Sequence, residues 1–202
     1  MVKWLMSTKK FKWTFDCEGS WGGRTNDMDG LDKGMPLIYK ALRKNDVKGL
    51  FFISTEILEE RPGLVQDILN EGHEIACHGH FHFCFKEPWR QNQNMKISKT
   101  ILENYSDQPH FDFRAPKFSY TFNGQPYSDP ANHVSVLKHM WTGQKITKDS
   151  VFYLHPFDIV GGKNAPNMFC KLWYSKPRKA YETFLNLLKR YPGDVRLGKD
   201  TA

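Results

Sequence analysis

The chain has 202 residues, of which 40% are hydrophobic and 14% aromatic, a composition typical of a folded globular protein and not of a disordered one. It contains no run of about 18 apolar residues, so we expect no stable insertion into a membrane. The formal net charge of +7 would suit a polyanion, but the lysines are dispersed, which favours a solvated surface and no nucleic-acid partner.

The length, the cysteine content and the N-terminal segment set further expectations. A chain of this length can bury one sizeable core, and no linker or internal repeat divides it, so we expect one domain over residues 1–202. The four cysteines are too few and too scattered for a disulfide framework. The segment from Met1 to Phe15 lacks the apolar stretch of a secretory signal, which favours a cytoplasmic location. The oligomeric state is left open.

Strand patterns and helical patterns alternate along the chain. Phe11, Trp13 and Phe15 recur at every second position and predict a first strand that ends at the carboxylates of Asp16 and Glu18. Other apolar runs predict strands at 49–54, 73–77, 151–154 and, closing the fold, 195–197. Apolar residues at helical spacing predict helices at 35–42, 64–69, 95–105, 134–140 and 177–190. This alternation predicts an α/β fold with a parallel sheet, either open or closed into a barrel.

Four polar side chains stand at or just past the carboxyl ends of predicted strands, one of which is the short run Phe111-Asp112-Phe113-Arg114. They are Asp16, His78, Arg114 and His155. Because α/β folds build their active sites at the carboxyl ends of parallel strands, we expect these four residues to lie close together.

Two histidines and two carboxylates supply the parts of a hydrolytic metal site. His78 and His82 are four residues apart, a spacing that places both imidazoles on one side of a helical turn. A catalytic metal takes about three protein ligands and leaves one position open for water. Asp16 and Glu18, at the end of another strand, offer the third metal ligand and the general base that the two histidines do not supply. The sequence therefore predicts metal-assisted hydrolysis.

Cys17 and Cys77 adjoin these residues, and thiolates are good zinc ligands, so a site of mixed cysteine and histidine ligands is an alternative. Neighbours in a strand point to opposite faces. If Asp16 and His78 face a cleft, we expect both cysteines to pack behind it.

Four segments, in order, resemble signature motifs of the polysaccharide deacetylases. They read TFDCEG at 14–19, GHEIACHGHFH at 72–82, FRAP at 113–116 and LHP at 154–156. The resemblance extends from about Phe11 to Leu197 and is to the branch with an Asp-x-Glu first motif. It implies a distorted, incomplete (β/α) barrel of about six to seven parallel strands. This barrel is shortened between the third and last motifs, because fewer residues than usual separate Arg114 from His155.

Carried over position by position, the first two motifs imply a metal site. Asp16 matches the catalytic base and Glu18 a metal-binding carboxylate, while Cys17 stands where the family usually has its second carboxylate. His78 and His82 match the imidazole ligands. The implied cofactor is one divalent ion, zinc first, with cobalt, nickel or manganese as alternatives.

The later motifs imply supporting roles. Arg114 matches the residue that pairs with the base, and His155 the acid that protonates the departing amine. The fourth motif, whose acid and tryptophan support the other groups, has no match here, and Trp141 is only a loose candidate for it. We predict that Trp21, in a glycine-rich loop, and Pro116, in the third motif, contact the substrate.

The function predicted from these motifs is the metal-dependent removal of the N-acetyl group from sugars of a glycan or glycolipid, with release of acetate. Three alternatives remain. Relatives of this fold also hydrolyse small non-glycan amides. The missing fourth motif would suit a degenerate relative that binds carbohydrate without catalysis. The net charge alone suggests a nucleic-acid-binding module, but no motif of basic and aromatic residues supports it.

Overall fold

The structure is a computed structural model that describes residues 13–23, 27–106, 112–122, 125–128, 133–147, 149–161 and 166–193. Its strands are β1 (Trp13–Cys17), β2 (Leu50–Ile53), β3 (Glu74–Cys77), β4 (Ser119–Phe122), β5 (Gln125–Ser128), β6 (His133–Ser135) and β7 (Val151–Leu154). Its α-helices are α1 (Ser20–Gly23), α2 (Met35–Lys44), α3 (Leu64–Asn70), α4 (Pro88–Glu103), α5 (Val136–Thr142), α6 (Met168–Trp173) and α7 (Pro177–Arg190). A π turn spans Gly30–Gly34, and 3₁₀ turns span Thr55–Glu59, Pro116–Phe118 and Pro156–Ile159.

Five strands form one parallel sheet in the order β3-β2-β1-β7-β6. The first strand lies at its centre, with Asp16 opposite Phe52 of β2 and Thr14 opposite Tyr153 of β7. Strands β4 and β5 form a separate antiparallel hairpin. The predicted α/β fold with an incomplete barrel is confirmed, although the described residues contain five parallel strands where six to seven were expected.

The difference in strand number arises near Arg114. Where a further strand was expected, a single parallel bridge joins Phe113 to Cys77. Two backbone hydrogen bonds support this bridge, from the N–H of Cys77 to the carbonyl of Asp112 (2.8 Å) and from the N–H of Arg114 to the carbonyl of Cys77 (3.0 Å). The hairpin, the three-residue β6 and α5 fill the shortened segment that follows. The predicted strand at 195–197 lies outside the described residues.

The outer face of the sheet carries the main core. Trp13 stacks on Phe152 and Phe15 on Phe51, both with ring centroids 4.6 Å apart. Phe184 of α7 meets Trp13 and Phe15 edge-on, at 5.3 and 6.2 Å. These rings are fully buried. Their alternation along β1 places every second residue against the helices, as the pattern predicts.

The inner face carries the intervening residues. Thr14 and Asp16 lie on it, buried, beside a small apolar cluster of Leu50, Phe52 and Ala76. Cys17 belongs instead to the main core, with its Sγ 3.9 Å from the sulfur of Met35. Cys77 is in the same core, and all four cysteines are free thiols. Both cysteines therefore pack behind the inner face, as predicted.

Two helices have different limits from those predicted. Helix α4 begins at Pro88, ahead of residue 95, because proline is favoured in the first turn, where its missing N–H costs nothing. Val134 pairs with Phe152 inside β6, and α5 starts only at Val136. The hydroxyl of Ser135 caps this helix by accepting a hydrogen bond from the N–H of Lys138. Among the described residues, no helix combines the length and the apolar character needed to cross a bilayer.

Candidate active site

A cleft of about 280 Å³ opens at the carboxyl edge of the parallel sheet. The end of β1 contributes Asp16 and Glu18, the loop after β3 contributes His78 and His82, and His155 follows β7 directly. These five predicted site residues all line the cleft. Arg114 lies buried beside it and reaches Asp16. The structure thus brings together the six residues that the four motifs single out.

Glu18, His78 and His82 form a group that can hold a metal ion. One ligand atom from each lies within 4.8 Å of the other two. The Oε2 atom of Glu18 is 2.5 Å from Nε2 of His82 and 3.4 Å from Nε2 of His78. Two imidazoles and one carboxylate form a donor set that suits zinc and other divalent transition ions.

The orientation of His78 suits a metal ligand. Its Nδ1 lies 2.8 Å from the carbonyl oxygen of Arg114. A carbonyl can only accept, so Nδ1 donates, and in the neutral ring Nε2 keeps its lone pair. This Nε2 is buried and has no hydrogen-bond partner among the described residues. Histidine ligands of metals are held in this way, with one nitrogen donating to a carbonyl and the other on the metal.

The expectation of a helical turn at 78–82 is wrong. These residues form an irregular loop in which Gly79 has a φ of 91°, a conformation that favours glycine. Side chains from distant elements hold the loop. The carboxylate of Glu56 accepts from the N–H of His82 (3.0 Å), and the amide oxygen of Asn94 accepts from the N–H of Phe81 (2.8 Å). His80 lies 3.1 Å from the hydroxyl of Thr55 and is not in the metal-ligand group.

Asp16 is held by Arg114. The guanidinium donates from Nη1 to Oδ1 of Asp16 (2.5 Å) and from Nη2 to the hydroxyl of Thr14 (2.8 Å), and it stacks 4.0 Å above the ring of Phe52. Burial raises the pKa of the Asp16 carboxyl, but the charges of Arg114, His78 and His155 outweigh it and lower the pKa below the ordinary value. Asp16 is therefore a carboxylate at neutral pH.

Glu18 is likewise ionised. Burial raises the pKa of its carboxyl, but the adjacent rings of His78 and His82 and the nearby charge of His155 lower the pKa well below its ordinary range. An ionised carboxylate is the form that binds metals.

His155 faces both carboxylates. Its Nε2 lies 3.8 Å from Asp16 and 3.8 Å from Glu18, and the residue is 21% exposed, so the ring is accessible from the cleft. Its Nδ1 lies 3.3 Å from Asp158, which also accepts from the backbone N–H of His155. Burial lowers the pKa of His155, but Asp158, Glu18 and Asp16 raise it to about 10. The ring is therefore protonated on both nitrogens, as the imidazolium cation, at neutral pH.

Asp158 is the residue that sequence reasoning missed. It caps the short turn Pro156–Ile159, and its carboxylate is buried. A histidine, a proline in the next position and an aspartate two positions later form the pattern of a capped turn, which is a signal the sequence does contain. Trp141, the loose candidate for this support, instead donates to the carbonyl of Trp173 (2.9 Å) and does not line the cleft.

Of the two predicted substrate contacts, Trp21 lines the cleft and Pro116 does not. Trp21 is largely buried against Tyr174, with ring centroids 4.8 Å apart. Pro116 is buried and is not among the residues that line the cleft, whereas Lys117 is. Trp21 and Lys117 have φ angles of 65° and 54°, in the left-handed region that non-glycine residues rarely adopt. Such backbone strain concentrates at functional sites.

Several solved structures share this fold. The Bc1960 peptidoglycan N-acetylglucosamine deacetylase matches with a TM-score of 0.60 and 19% identity over 93% of this chain and 85% of its own. The peptidoglycan deacetylase PdaC from Bacillus subtilis matches with a TM-score of 0.57 and 14% identity over 91% of this chain and 84% of its own.

Wild-type BA3943 from Bacillus anthracis, a pseudoenzyme of carbohydrate esterase family 4, matches with a TM-score of 0.55 and 16% identity. The match covers 88% of this chain but only 61% of BA3943, so this chain spans less than two thirds of the length of that protein. At these identities the likeness is one of fold.

In sequence, no curated protein matches the chain. The family model described as polysaccharide deacetylase matches residues 14–126, which is more than half of the chain. The matched region contains five of the six motif residues, namely Asp16, Glu18, His78, His82 and Arg114. This chain belongs to the polysaccharide deacetylase family.

Proposed function

We propose that this protein hydrolyses the N-acetyl group of an N-acetylated sugar in a glycan, with one divalent metal ion held by Glu18, His78 and His82. The observation that carries the proposal is the clustering of these three ligand atoms within 4.8 Å in the cleft that also holds Asp16 and His155. Membership of the polysaccharide deacetylase family supports it. Residues 1–202 are taken as one catalytic domain.

The donor set defines the metal expected. Two neutral imidazoles and one carboxylate suit zinc, and cobalt, nickel or manganese are alternatives for the same ligands. When bound, the ion would supply Lewis-acid polarisation of the acetyl carbonyl and of a water molecule. The buried Nε2 of His78, which lacks a hydrogen-bond partner among the described residues, supports the fit.

The protein's own residues then handle the protons. Asp16, held ionised by Arg114, takes a proton from the water whose oxygen attacks the acetyl carbon. Asp158 holds the ring of His155, whose Nε2 delivers a proton to the sugar nitrogen as the C–N bond breaks. Acetate and a free amino sugar leave. The 3.8 Å between His155 and Asp16 is close enough for both residues to reach one amide group.

The test begins with metal content. The purified full chain, stripped with a chelator and reconstituted with zinc, cobalt, nickel or manganese, is analysed for bound metal and for acetate release from N-acetylglucosamine oligomers. We expect about one equivalent of metal per chain. Glu18→Gln should fail to hold it, because the only anionic ligand is lost.

Asp16→Asn separates binding from catalysis. This variant keeps all three ligands, so it should retain metal while acetate release falls by about 10²- to 10⁴-fold, as expected for loss of a general base. Metal binding without acetate release in the wild type would redirect the assignment to small amides, which a substrate panel would identify. Absence of metal after reconstitution would exclude the proposal and leave carbohydrate binding without catalysis, measurable with the same oligomers.

A further inference from the structure

Seven large apolar side chains are exposed among the described residues, of which Trp89 and Ile97 lie on α4 and the other five lie on two further segments. Phe81 and Phe83 follow β3 and are 48% and 58% exposed. Met168, Phe169 and Leu172 of α6 are 68%, 68% and 62% exposed. We call these five residues the apolar rim. Soluble monomers expose such side chains singly, and a group of them marks an interaction surface.

The apolar rim borders the cleft on two sides. His82, which lines the cleft, stands between Phe81 and Phe83 in the chain. Cys170, which also lines it, stands between Phe169 and Leu172. Each half of the rim is thus attached to a wall of the cleft, and a partner that covers the rim meets the mouth of the active site.

Helix α6 lies largely in solvent and meets the core through Trp173, which is partly buried. None of its residues is buried. It is held by its two ends. The side chain of Asn167 accepts from the N–H of Cys170 (2.8 Å), and the carbonyl of Trp173 accepts from the indole of Trp141 (2.9 Å). Since Met168, Phe169 and Leu172 stay largely exposed, packing within the described residues does not explain why these three positions are apolar.

Basic residues accompany this half of the rim. Residues 166–181 contain four basic residues and no acidic one, and all four are exposed, namely Lys171, Lys176, Arg178 and Lys179. Arg178 pairs with Glu182 at 3.1 Å, and Lys176 lies 4.9 Å over the ring of Trp141. Neither Lys171 nor Lys179 forms an ion pair within the described part of the chain. The ammonium groups of Lys171, on α6, and of Lys179, in the first turn of α7, are therefore available to anions.

We propose that the apolar rim and its lysines dock on the surface of an anionic phospholipid bilayer. Apolar side chains that enter the headgroup layer, flanked by lysines that meet lipid phosphates, are the features of interfacial membrane binding. A polyanionic glycan would engage the lysines but leave Met168 and Leu172 in water. Docking turns the mouth of the cleft towards the lipid headgroups. If the proposed deacetylation is correct, the substrate class is a glycan attached to a membrane lipid.

The test measures sedimentation of the full chain with vesicles of phosphatidylcholine alone or mixed with phosphatidylglycerol. We expect binding to the mixed vesicles that weakens as salt is raised. Leu172→Ser should lower the partition coefficient about fivefold or more, whereas Ile97→Ser, an isomeric side chain exposed on α4, should not. Lys171→Gln should lower it about fivefold, and Lys44→Gln, at the end of α2, should leave it unchanged.

Equal binding to both kinds of vesicle would overturn the docking proposal, and so would equal losses of binding in Leu172→Ser and Ile97→Ser. A third outcome against it is a wild-type protein that does not bind vesicles but forms a dimer, which Leu172→Ser converts to monomer. None of these readouts requires catalysis, so the proposal fails or stands independently of the proposed function. The substrate class is tested with an N-acetylglucosamine-headed lipid in the mixed vesicles. Leu172→Ser should slow acetate release from that lipid about fivefold and leave release from soluble oligomers unchanged.

Discussion

The carboxylate of Asp158 accepts two hydrogen bonds from His155, one from the backbone N–H (2.8 Å) and one from the ring Nδ1 (3.3 Å). Both residues belong to the same short turn, so the support is local. It directs Nε2 of His155 towards Asp16. We propose that Asp158, two residues past the last motif, takes the place of the fourth-motif acid for which this chain has no match.

Asp158→Asn tests this support. The amide loses the negative charge that holds the imidazole ring and its proton, so we expect turnover to fall by about 10- to 100-fold. Metal content should be unchanged, because Glu18, His78 and His82 are untouched. Steady-state acetate release and elemental analysis measure the two quantities. Asp46→Asn, an exposed position whose φ of 51° an asparagine also tolerates, is the control. Unaltered turnover in Asp158→Asn would show that Asp158 serves only to cap the turn.

Arg114→Met tests the buried ion pair. Arg114 and Asp16 are 2% and 3% exposed, and removal of one partner leaves the other charge buried without compensation. We expect the free energy of unfolding to fall by about 3–5 kcal/mol. Urea unfolding of Arg114→Met, Asp16→Asn and the double variant forms a cycle in which the double variant should lose less than the sum of the two single losses. Strict additivity would mean that the two side chains do not stabilise each other.

Gly34→Ala tests how closely the turn Pro156–Ile159 packs against Gly34. A Cβ at Gly34 would lie closer to the backbone carbonyl of Pro156 than van der Waals contact permits. Relief of this clash must move the turn that follows His155, so we expect about 1–3 kcal/mol of lost stability and reduced turnover. Gly63→Ala is the matched control, since no atom lies within 4 Å of its added Cβ. The midpoints of thermal unfolding of the two variants are compared, and we expect that of Gly34→Ala to be lower. Equal midpoints would contradict the close packing of Gly34 against Pro156.

His73→Phe tests a buried histidine remote from the cleft lining. His73 is 6% exposed, stacks on Phe51 with centroids 5.2 Å apart, and has no hydrogen-bond partner for either ring nitrogen within the described residues. Burial, with the charge of Lys48, lowers the pKa of His73 to about 4. Phenylalanine keeps an aromatic ring against Phe51 and has no polar atoms to bury, so we expect a gain of about 1–3 kcal/mol.

The stability gained by His73→Phe should depend on pH. Because the pKa of His73 is lower in the folded state, protonation favours the unfolded chain. The stability that the folded protein has with neutral His73 is fully present above the ordinary pKa of 6.5. It is lost as the pH falls from there towards about 4. The advantage of His73→Phe in urea unfolding should therefore grow between about pH 7 and about pH 4.5. A constant difference over that interval would mean that the ring is protonated equally in both states.

The sequence by itself determined the alternating framework and most of the site. The apolar alternation in β1 forces Asp16 to the face opposite Trp13 and Phe15, and parallel strands carry their terminal residues to one edge. Those two local rules place Asp16, His78 and His155 in one cleft. The motifs that resemble those of the deacetylases single out the same residues.

Only the tertiary structure decided how these residues are held. The loop of His78 and His82 has no periodic pattern to read, because Glu56 and Asn94 shape it from distant elements. The reduction of a sixth strand to one bridge at Phe113 depends on pairing across the chain with Cys77. Periodicity reports which face of an element is apolar. Hydrogen bonds between residues far apart in the chain leave no such period, and these bonds orient the candidate catalytic groups.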